Sequence, residues 1–465
     1  MSILSITFIC FVIILLAIYY LTPTFCSPYI LLAGSVFFYL QFDKRYALFL
    51  LASILCTFLG ALWISKAKKQ NLRKFLLGIV LFLNVGTLFC VKFIPFYSVI
   101  VPVGISFYTL QVCGYAIDVY RGKYQPERNV FKYATFASFF PLILQGPISR
   151  YDQLSTTLFA GRNRRLFYEN VTSGAQLALW GFFKKLVIAD RAGMLANAVF
   201  GNVDKYSGVA VLLGVLCYTI QIYTDFSGCV DICRGVSKCF GVDVIDNFKQ
   251  PYFSTSIQDF WRRWHIALSS WLKDYVYIPL GGNRLGTARK YVNLLIVFFV
   301  SGLWHGVGFH FILWGLLQGV FQIIGTLTRP AKKRLCTILH VDPSATWFVW
   351  LRRLINFILI NISWIFFRVN TRTIVNVFKA MFRMTASAEM LPALDLPDIC
   401  VLALGVLLLI VVGYYREEGY SIRDQVAKCP LPVAWSLYLG LFLIVLIFGI
   451  YGPGYSDQAF IYMNF

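Results

Sequence analysis

The sequence predicts an all-α, polytopic integral membrane protein. Hydrophobic residues make up 58% of the chain and charged residues only 14%, against roughly 25% charged in an ordinary soluble domain. The apolar residues gather into runs close to the ~20 residues that a helix needs to cross hydrocarbon. Lys and Arg fall mainly in short clusters between these runs: Lys66, Lys68, Lys69, Arg73 and Lys74; Arg162, Arg164 and Arg165; Arg329, Lys332, Lys333 and Arg334. That is the charge pattern of cytoplasmic connections in the positive-inside rule.

The first run, Ile3 to Leu21, carries no charge and lacks the basic start and small-residue cleavage site of a removable signal. It is expected to be a retained first span. Further spans are expected at 29–42, which is short, and at 46–65, 75–94, 99–119, 206–226, 291–304, 309–328, 350–368, 399–415 and 433–451. If the basic connections at 66–74, 329–334 and 416–428 all lie in the cytoplasm, the last helix runs outward. The amino terminus and the tail Gly454 to Phe465 then lie outside.

Two regions are too polar for simple spans and too hydrophobic for exposed loops. In 131–190, Pro141, Gly146 and Pro147 break any helix, which predicts a re-entrant segment. Non-helical backbone at membrane depth is tolerated only when buried in protein or lining a cavity, so this region points to an internal cavity. In 255–286, helical spacing puts Trp261, Trp264, His265, Leu268, Leu272 and Tyr275 on one face and Arg262, Arg263, Ser269 and Lys273 mostly on the other. An interfacial helix with its apolar face and imidazole turned inward is expected there. The segment Tyr277 to Arg284, with Pro279, Gly281 and Gly282, reads as the turn that ends it. No internal repeat, low-complexity tract or soluble domain is visible, so residues 1–465 are expected to form a single membrane domain.

The formal net charge of +21 would suggest nucleic acid in a soluble protein. Here the cations belong to inter-span connections that attract anionic lipid headgroups, and no aromatic-and-basic binding module is present. No nucleic-acid partner is expected. The twelve cysteines sit mostly in apolar runs without zinc spacing, so they read as buried thiols. There is no G-x-S-x-G elbow, Walker A loop, H-E-x-x-H pair or dinucleotide fingerprint, and no metal is expected.

The candidate site residues are polar groups in apolar surroundings, where an ionisable side chain is a functional hypothesis by default. His305 lies between Trp304 and Gly306 in a glycine-interrupted stretch that allows close backbone approach or a helix break; the alternative is a structural histidine bonded to a carbonyl. His265 sits in WRRWHIALSSW, where the alternative is a polar tip at headgroup level. His310 reads as a packing residue and His340 as a solvated one. Asp225 ends a long apolar run, where a carboxylate costs on the order of 2.5–3.5 kcal/mol; it calls for a partner such as an arginine or a histidine, or else it caps a helix at the surface. Asn283 and Arg284 are candidates to hold polar or anionic parts of a substrate, or simply form a tight connection.

The string WRRWHIALSSWLKDYVYIPLGGNR, followed later by SGLWHG, resembles the membrane-bound O-acyltransferase family, and its alginate and polysaccharide O-acetyltransferase branch in particular. VPVGISFYTLQVCGYAIDVYRG, FASFFPLILQGPISRY, YTDFSGCVDICRG and the closing FIYMNF extend the resemblance over most of the chain. The resemblance implies a helical bundle with re-entrant and interfacial helices around a central tunnel, in the bacterial cytoplasmic membrane. It implies transfer of an acetyl group from a cytoplasmic thioester, acetyl-CoA, to hydroxyls of an extracytoplasmic polysaccharide such as alginate. Transfer is either direct or through a separate extracytoplasmic acetyltransferase partner. It places the family's catalytic histidine at His305 and its second motif histidine at His265, beside Trp304 and Trp264. The crowding of Cys229, Cys233 and Cys239 departs from the pattern and leaves Asp225 as the one supporting residue assigned in that segment.

On this reading His305 is a general base for acyl transfer, since imidazole, with an ordinary pKa near ~6.5, accepts protons at neutral pH. His265 orients a substrate or completes a proton path, and Asp225 fixes an imidazole tautomer. Three alternatives stay open: D-alanyl transfer to teichoic acid, a proton-coupled transporter, which calls for inverted repeats that are not visible, and a structural scaffold indifferent to both histidines.

Overall fold

Hydrocarbon offers no water to satisfy backbone N–H and C=O groups, so an apolar run closes its hydrogen bonds as a helix. The computed structural model, which describes residues 1–94, 101–160, 167–383 and 394–451, follows this rule. Its helices are α1 (Ile6–Leu21), α2 (Ser27–Leu40), α3 (Lys44–Lys66), α4 (Gln70–Phe93), α5 (Ile105–Tyr120), α6 (Val130–Ser138), α7 (Tyr151–Leu158), α8 (Phe167–Phe182), α9 (Asp190–Gly201) and α10 (Val209–Cys239). They continue with α11 (Ile257–Arg263), α12 (Ile266–Leu272), α13 (Gly286–His305), α14 (Phe309–Leu327), α15 (Arg329–Ile338), α16 (Thr346–Arg368), α17 (Thr371–Met381), α18 (Leu396–Glu417), α19 (Ile422–Ala427) and α20 (Leu431–Phe448). Among the described residues seven helices, α3, α4, α10, α14, α16, α18 and α20, are long and apolar enough to cross a membrane, and α1 and α2 are shorter apolar helices. Each expected span has its helix. The expected cluster Arg162, Arg164 and Arg165, the start of the span at 99–119 and the tail 454–465 lie outside the described residues.

The chain divides into two compact units, the first built from residues 1–181 and 229–246. In it α3 packs on α4 and α5, and α2 on α6. The stretch 139–150 is non-helical and buried throughout, as Pro141, Gly146 and Pro147 require. Its polar groups are met inside the protein: Phe140 N–H donates to Ser35 Oγ at 3.0 Å, and the preceding turn is tied by Gln111 Nε2 donating to the Phe136 carbonyl at 2.7 Å.

The second unit comprises residues 182–228 and 247–461. Here a wide, π-type turn, Phe183–Ala189, leads into α9. α18 and α20 pack on this turn, tied down by Arg191, which donates to Asp398 at 2.9 Å and to the Phe448 carbonyl. Their outer faces leave Leu404, Leu407, Leu437, Phe442 and Leu446 exposed, which a helix in lipid can do without loss.

The expected single helix over the tryptophan-rich segment is broken. α11 stops at Arg263, Trp264 is extended, and His265 takes a left-handed conformation (φ +45°) before α12 begins. An antiparallel bridge pairs Trp264 with Phe248, and it captures the N–H and C=O groups that a continuous helix would have used. The expected partition survives the break: Trp261, Trp264, His265, Leu268 and Leu272 are buried, Tyr275 is half-buried, and Arg262 and Lys273 are exposed.

α13 and α14 form a hairpin turning at 306–308, and two glycines set their closeness. A Cβ at Gly302 would lie 2.4 Å from the Phe311 carbonyl oxygen, and one at Gly315 would lie 2.2 Å from that of Phe298. Both obstacles are backbone, so neither can yield to a side chain. Gly302→Ala is expected to lower thermal stability in detergent by about 1–3 kcal/mol or more. Gly325→Ala on the same hairpin, with no atom within 4 Å of the added carbon, is expected to leave stability unchanged or slightly higher.

Candidate active site

His305 is the last residue of α13, placed there because Gly306 is extended and ends the helix. It is 2% exposed. Its ring stands edge-to-face against Trp304 at 4.9 Å, Trp314 at 5.1 Å and Phe367 at 5.2 Å, so α13, α14 and α16 each supply a wall. His265 is 1% exposed and meets Phe226 at 4.8 Å and Trp304 at 6.0 Å. Trp304 therefore touches both imidazoles and joins them into one aromatic cluster. Burial pushes the His265 imidazole down to about 3, because the charged form loses its hydration. The ring is neutral at physiological pH.

The backbone at His265 is uncommon for a side-chain-bearing residue. Left-handed residues of this kind cost of order 1–3 kcal/mol and cluster at functional sites. The conformation is over-determined by Asn247: Ile266 N–H donates to the Asn247 carbonyl at 3.0 Å, and Ala267 N–H to Asn247 Oδ1 at 3.0 Å. Asn247 Oδ1 also lies 3.3 Å from His265 Nδ1. Sequence reasoning missed Asn247, which sits 18 positions away in no recognisable motif.

The tryptophans have distinct surroundings. Trp264 stacks on Phe260 at 5.4 Å and meets Trp364 at 5.1 Å. Trp261 Nε1 donates to Gln318 Oε1 at 3.1 Å, and Gln318 Nε2 donates in turn to Ser363 Oγ at 2.8 Å. Trp314 Nε1 and Trp364 Nε1 are buried with no acceptor among the described residues.

Asp225 is 1% exposed, and its partner is a lysine. Lys185 Nζ lies 2.7 Å from Asp225 Oδ1 and 2.7 Å from Asp190 Oδ1. Lys184 Nζ donates to Ser227 Oγ at 2.9 Å. The available signal was two lysines and an aspartate interrupting the apolar run LALWGFFKKLVIAD, the complement of one aspartate interrupting another. Asn283 and Arg284 are exposed, and Tyr277 donates its hydroxyl to Asn283 Oδ1. Asn293 Nδ2 closes the same turn on the Leu280 and Gly282 carbonyls, each at 3.1 Å, and Gly281 and Gly282 have the expected positive φ. His310 packs against Phe311 and His340 is exposed. Among the described residues no group of three or more His, Cys, Asp or Glu is placed to hold a metal.

The helices and this buried cluster define a multi-pass, all-α membrane protein whose polar chemistry is held inside the protein. The chain belongs to the membrane-bound O-acyltransferase family, whose model matches residues 39–367. It is similar to a Pseudomonas putida protein named probable alginate O-acetylase, 38% identical over 285 residues, covering 61% of this chain and 56% of that one. It is also similar to a Helicobacter pylori peptidoglycan O-acetyltransferase, 33% identical over 408 residues, covering 79% and 76%. A Bacillus subtilis teichoic acid D-alanyltransferase is 26% identical over 246 residues, covering 49% and 60%. The chain thus spans about half the length of several curated relatives that it matches. Family, apolar helices and bacterial relatives together make it a multi-pass protein of the bacterial inner membrane.

Removing one partner of a buried ion pair strands the others, at a cost of about 3–5 kcal/mol. Lys185→Met is expected to lose that much stability by leaving two carboxylates facing each other, read as a drop in the thermal transition of the purified protein. An unchanged transition would show that Lys185 is not the counter-charge.

Proposed function

We propose that this chain is a membrane-bound O-acyltransferase that moves an acetyl group from a cytoplasmic thioester, acetyl-CoA, to hydroxyls of an extracytoplasmic polysaccharide. The route is direct or through a separate extracytoplasmic acetyltransferase. The observation that carries the reading is the pair of imidazoles sharing one dry aromatic cluster around Trp304, in a chain of this family. Supporting it, Asn247 Nδ2, Trp314 Nε1 and Trp364 Nε1 are buried donors with no acceptor among the described residues. Buried polar groups are nearly always hydrogen-bonded, so a ligand rich in acceptor oxygens, such as an acyl carbonyl with a sugar hydroxyl, suits the cluster.

In the proposed reaction His305 takes the proton from the acceptor hydroxyl as its oxygen attacks the thioester carbonyl carbon. The carbon–sulfur bond breaks, and the imidazolium returns the proton to the leaving thiolate. His265 holds one of the two reactants beside Trp304. Asp225, locked to Lys185, contributes to the architecture of the site, while Asn283 and Arg284 receive an anionic or polar part of a substrate. The identities of the relatives favour a polysaccharide or peptidoglycan hydroxyl over a teichoic acid, since the match to the D-alanyltransferase is shorter and weaker.

His305→Ala is expected to lower acetylation by about 10²–10⁴-fold, the usual worth of a general base, with normal expression and insertion. Mass analysis of cell-surface glycans with and without the protein checks the reaction and names the acceptor; unchanged acetylation would sink the assignment. His265→Ala is expected to lose turnover while keeping donor binding, and loss of binding alone would reassign it to donor recognition.

A further inference from the structure

We infer that α15 is an in-plane membrane anchor: its apolar stripe sinks into the acyl chains beside the last turn of α14, and its cations hold anionic lipid headgroups. The inference concerns the surface of the protein and does not rest on the proposed acyl transfer.

The first observation is that contacts within the protein do not account for this helix. α15 has no buried residue, and every position but Cys336 is exposed. Its ten residues fall short of the roughly 12–15 at which an isolated helix is even marginal in water. Its charges also run against its own dipole. Arg329, Lys332, Lys333 and Arg334 crowd the N-terminal end, with no acidic residue in the first turn, where partial positive charge already gathers. The nearest carboxylate in sequence, Asp342, is taken by the N–H and Oγ of Ser344 at 2.8 and 2.7 Å. The helix is nevertheless well terminated. His340 turns left-handed (φ +49°), Val341 N–H donates to the Cys336 carbonyl at 2.9 Å and His340 N–H to that of Thr337 at 3.3 Å, which is the Schellman arrangement.

The second observation is the pattern. At 3.6 residues per turn Ala331, Leu335, Ile338 and Leu339 share one face, and the three large side chains are 55%, 61% and 60% exposed. Lys332 and Arg334 flank this stripe, while Arg329 and Lys333 lie opposite it. Flanking cations can lay their stems along apolar surface and keep their charges at headgroup level. This is the distribution of an interfacial helix, whose apolar face sits about 5–10 Å into the boundary between headgroups and acyl chains.

The third observation is depth. α14 is long and apolar enough to cross the membrane, and its last turn exposes Ile324 and Leu327. Arg329 follows two residues later, about 3 Å farther along a helix at 1.5 Å per residue. Thr328 joins the two helices without a linker: its N–H donates to the Ile324 carbonyl, and its carbonyl accepts from Lys332 N–H, each at 2.9 Å. The next spanning helix, α16, exposes Trp347 and Trp350 in its opening turns, and tryptophan favours the membrane–water interface. α15 therefore lies between an exit from hydrocarbon and a return to it, at headgroup level on both sides. A protein partner could also cover an aliphatic stripe. Four cations within six residues favour the bilayer, because they match a continuous anionic surface that the end of α14 already places within reach.

The test places the full-length protein in lipid nanodiscs, with Ile338 or, separately, Lys333 replaced by a fluorescent coumarin-bearing amino acid. A nitroxide in the upper acyl chain is expected to quench the probe at 338 while aqueous iodide does not, and the probe at 333 is expected to show the reverse. Discs of mixed phosphatidylglycerol and phosphatidylcholine are expected to give at least about threefold more lipid quenching at 338 than discs of phosphatidylcholine alone. Combining Arg329→Gln, Lys332→Gln, Lys333→Gln and Arg334→Gln is expected to remove that difference. Iodide quenching at 338 overturns the proposal, since the stripe then faces water. Shielding from both quenchers also overturns it, in favour of cover by protein, and equal lipid quenching in the two mixtures overturns it by showing burial without headgroup recognition. If the fourfold variant fails to insert, the two lipid mixtures still decide with the native charges in place.

Discussion

The break between α11 and α12 is the constraint on which the rest of the cluster depends. Had the tryptophan-rich segment run on as one helix, His265 would rotate with its neighbours and its imidazole would hang from an unsupported face. Instead the left-handed turn at His265, the Phe248–Trp264 bridge and the two backbone N–H groups collected by Asn247 spend the freed hydrogen bonds on fixing one side chain. Backbone donors and acceptors within the protein interior must be paired. Pairing them across the break converts a costly irregularity into a rigid support.

Trp304 transmits that support to His305. It stands between the two rings, and it sits on a helix whose distance from α14 is set by Gly302 and Gly315 against opposing carbonyls. Fixed backbones therefore set where each imidazole lies. The walls around them are aromatic because such side chains fill space with few rotatable bonds and offer both ring faces and N–H edges. The glycines, the tryptophans and the histidines are thus parts of one packing arrangement.

Much of this was legible. Spans followed from length and composition, because in hydrocarbon the apolar run and the helix are nearly the same object. The inward face of 255–286 was legible too: Trp261, Trp264, His265 and Leu268 are buried although the helix does not continue. The break itself was not legible, since WRRWHIALSSWL contains no Pro or Gly. It is supported by Asn247, 18 positions away in the chain, a contact that no local pattern encodes. The run through Lys184 and Lys185 stays helical through a wide turn, although its two charges lower its hydropathy. What the sequence did contain there was complementarity: lone charges of opposite sign in two apolar runs, Lys185 and Asp225, which meet at 2.7 Å.

The second unit thus buries ionisable groups in two different ways, and the difference separates architecture from chemistry. Lys185 is taken inside with two carboxylates within hydrogen-bond distance, a geometry that keeps charge in place because losing any member costs several kcal/mol. A group held so tightly is poorly suited to exchange protons during turnover. His265 and His305 are taken inside among aromatic rings. Catalysis requires a group whose charge is stabilised more in the transition state than at rest. The salt-bridged lysine is stabilised in advance, and on the proposed reading the reactive role falls to the imidazoles.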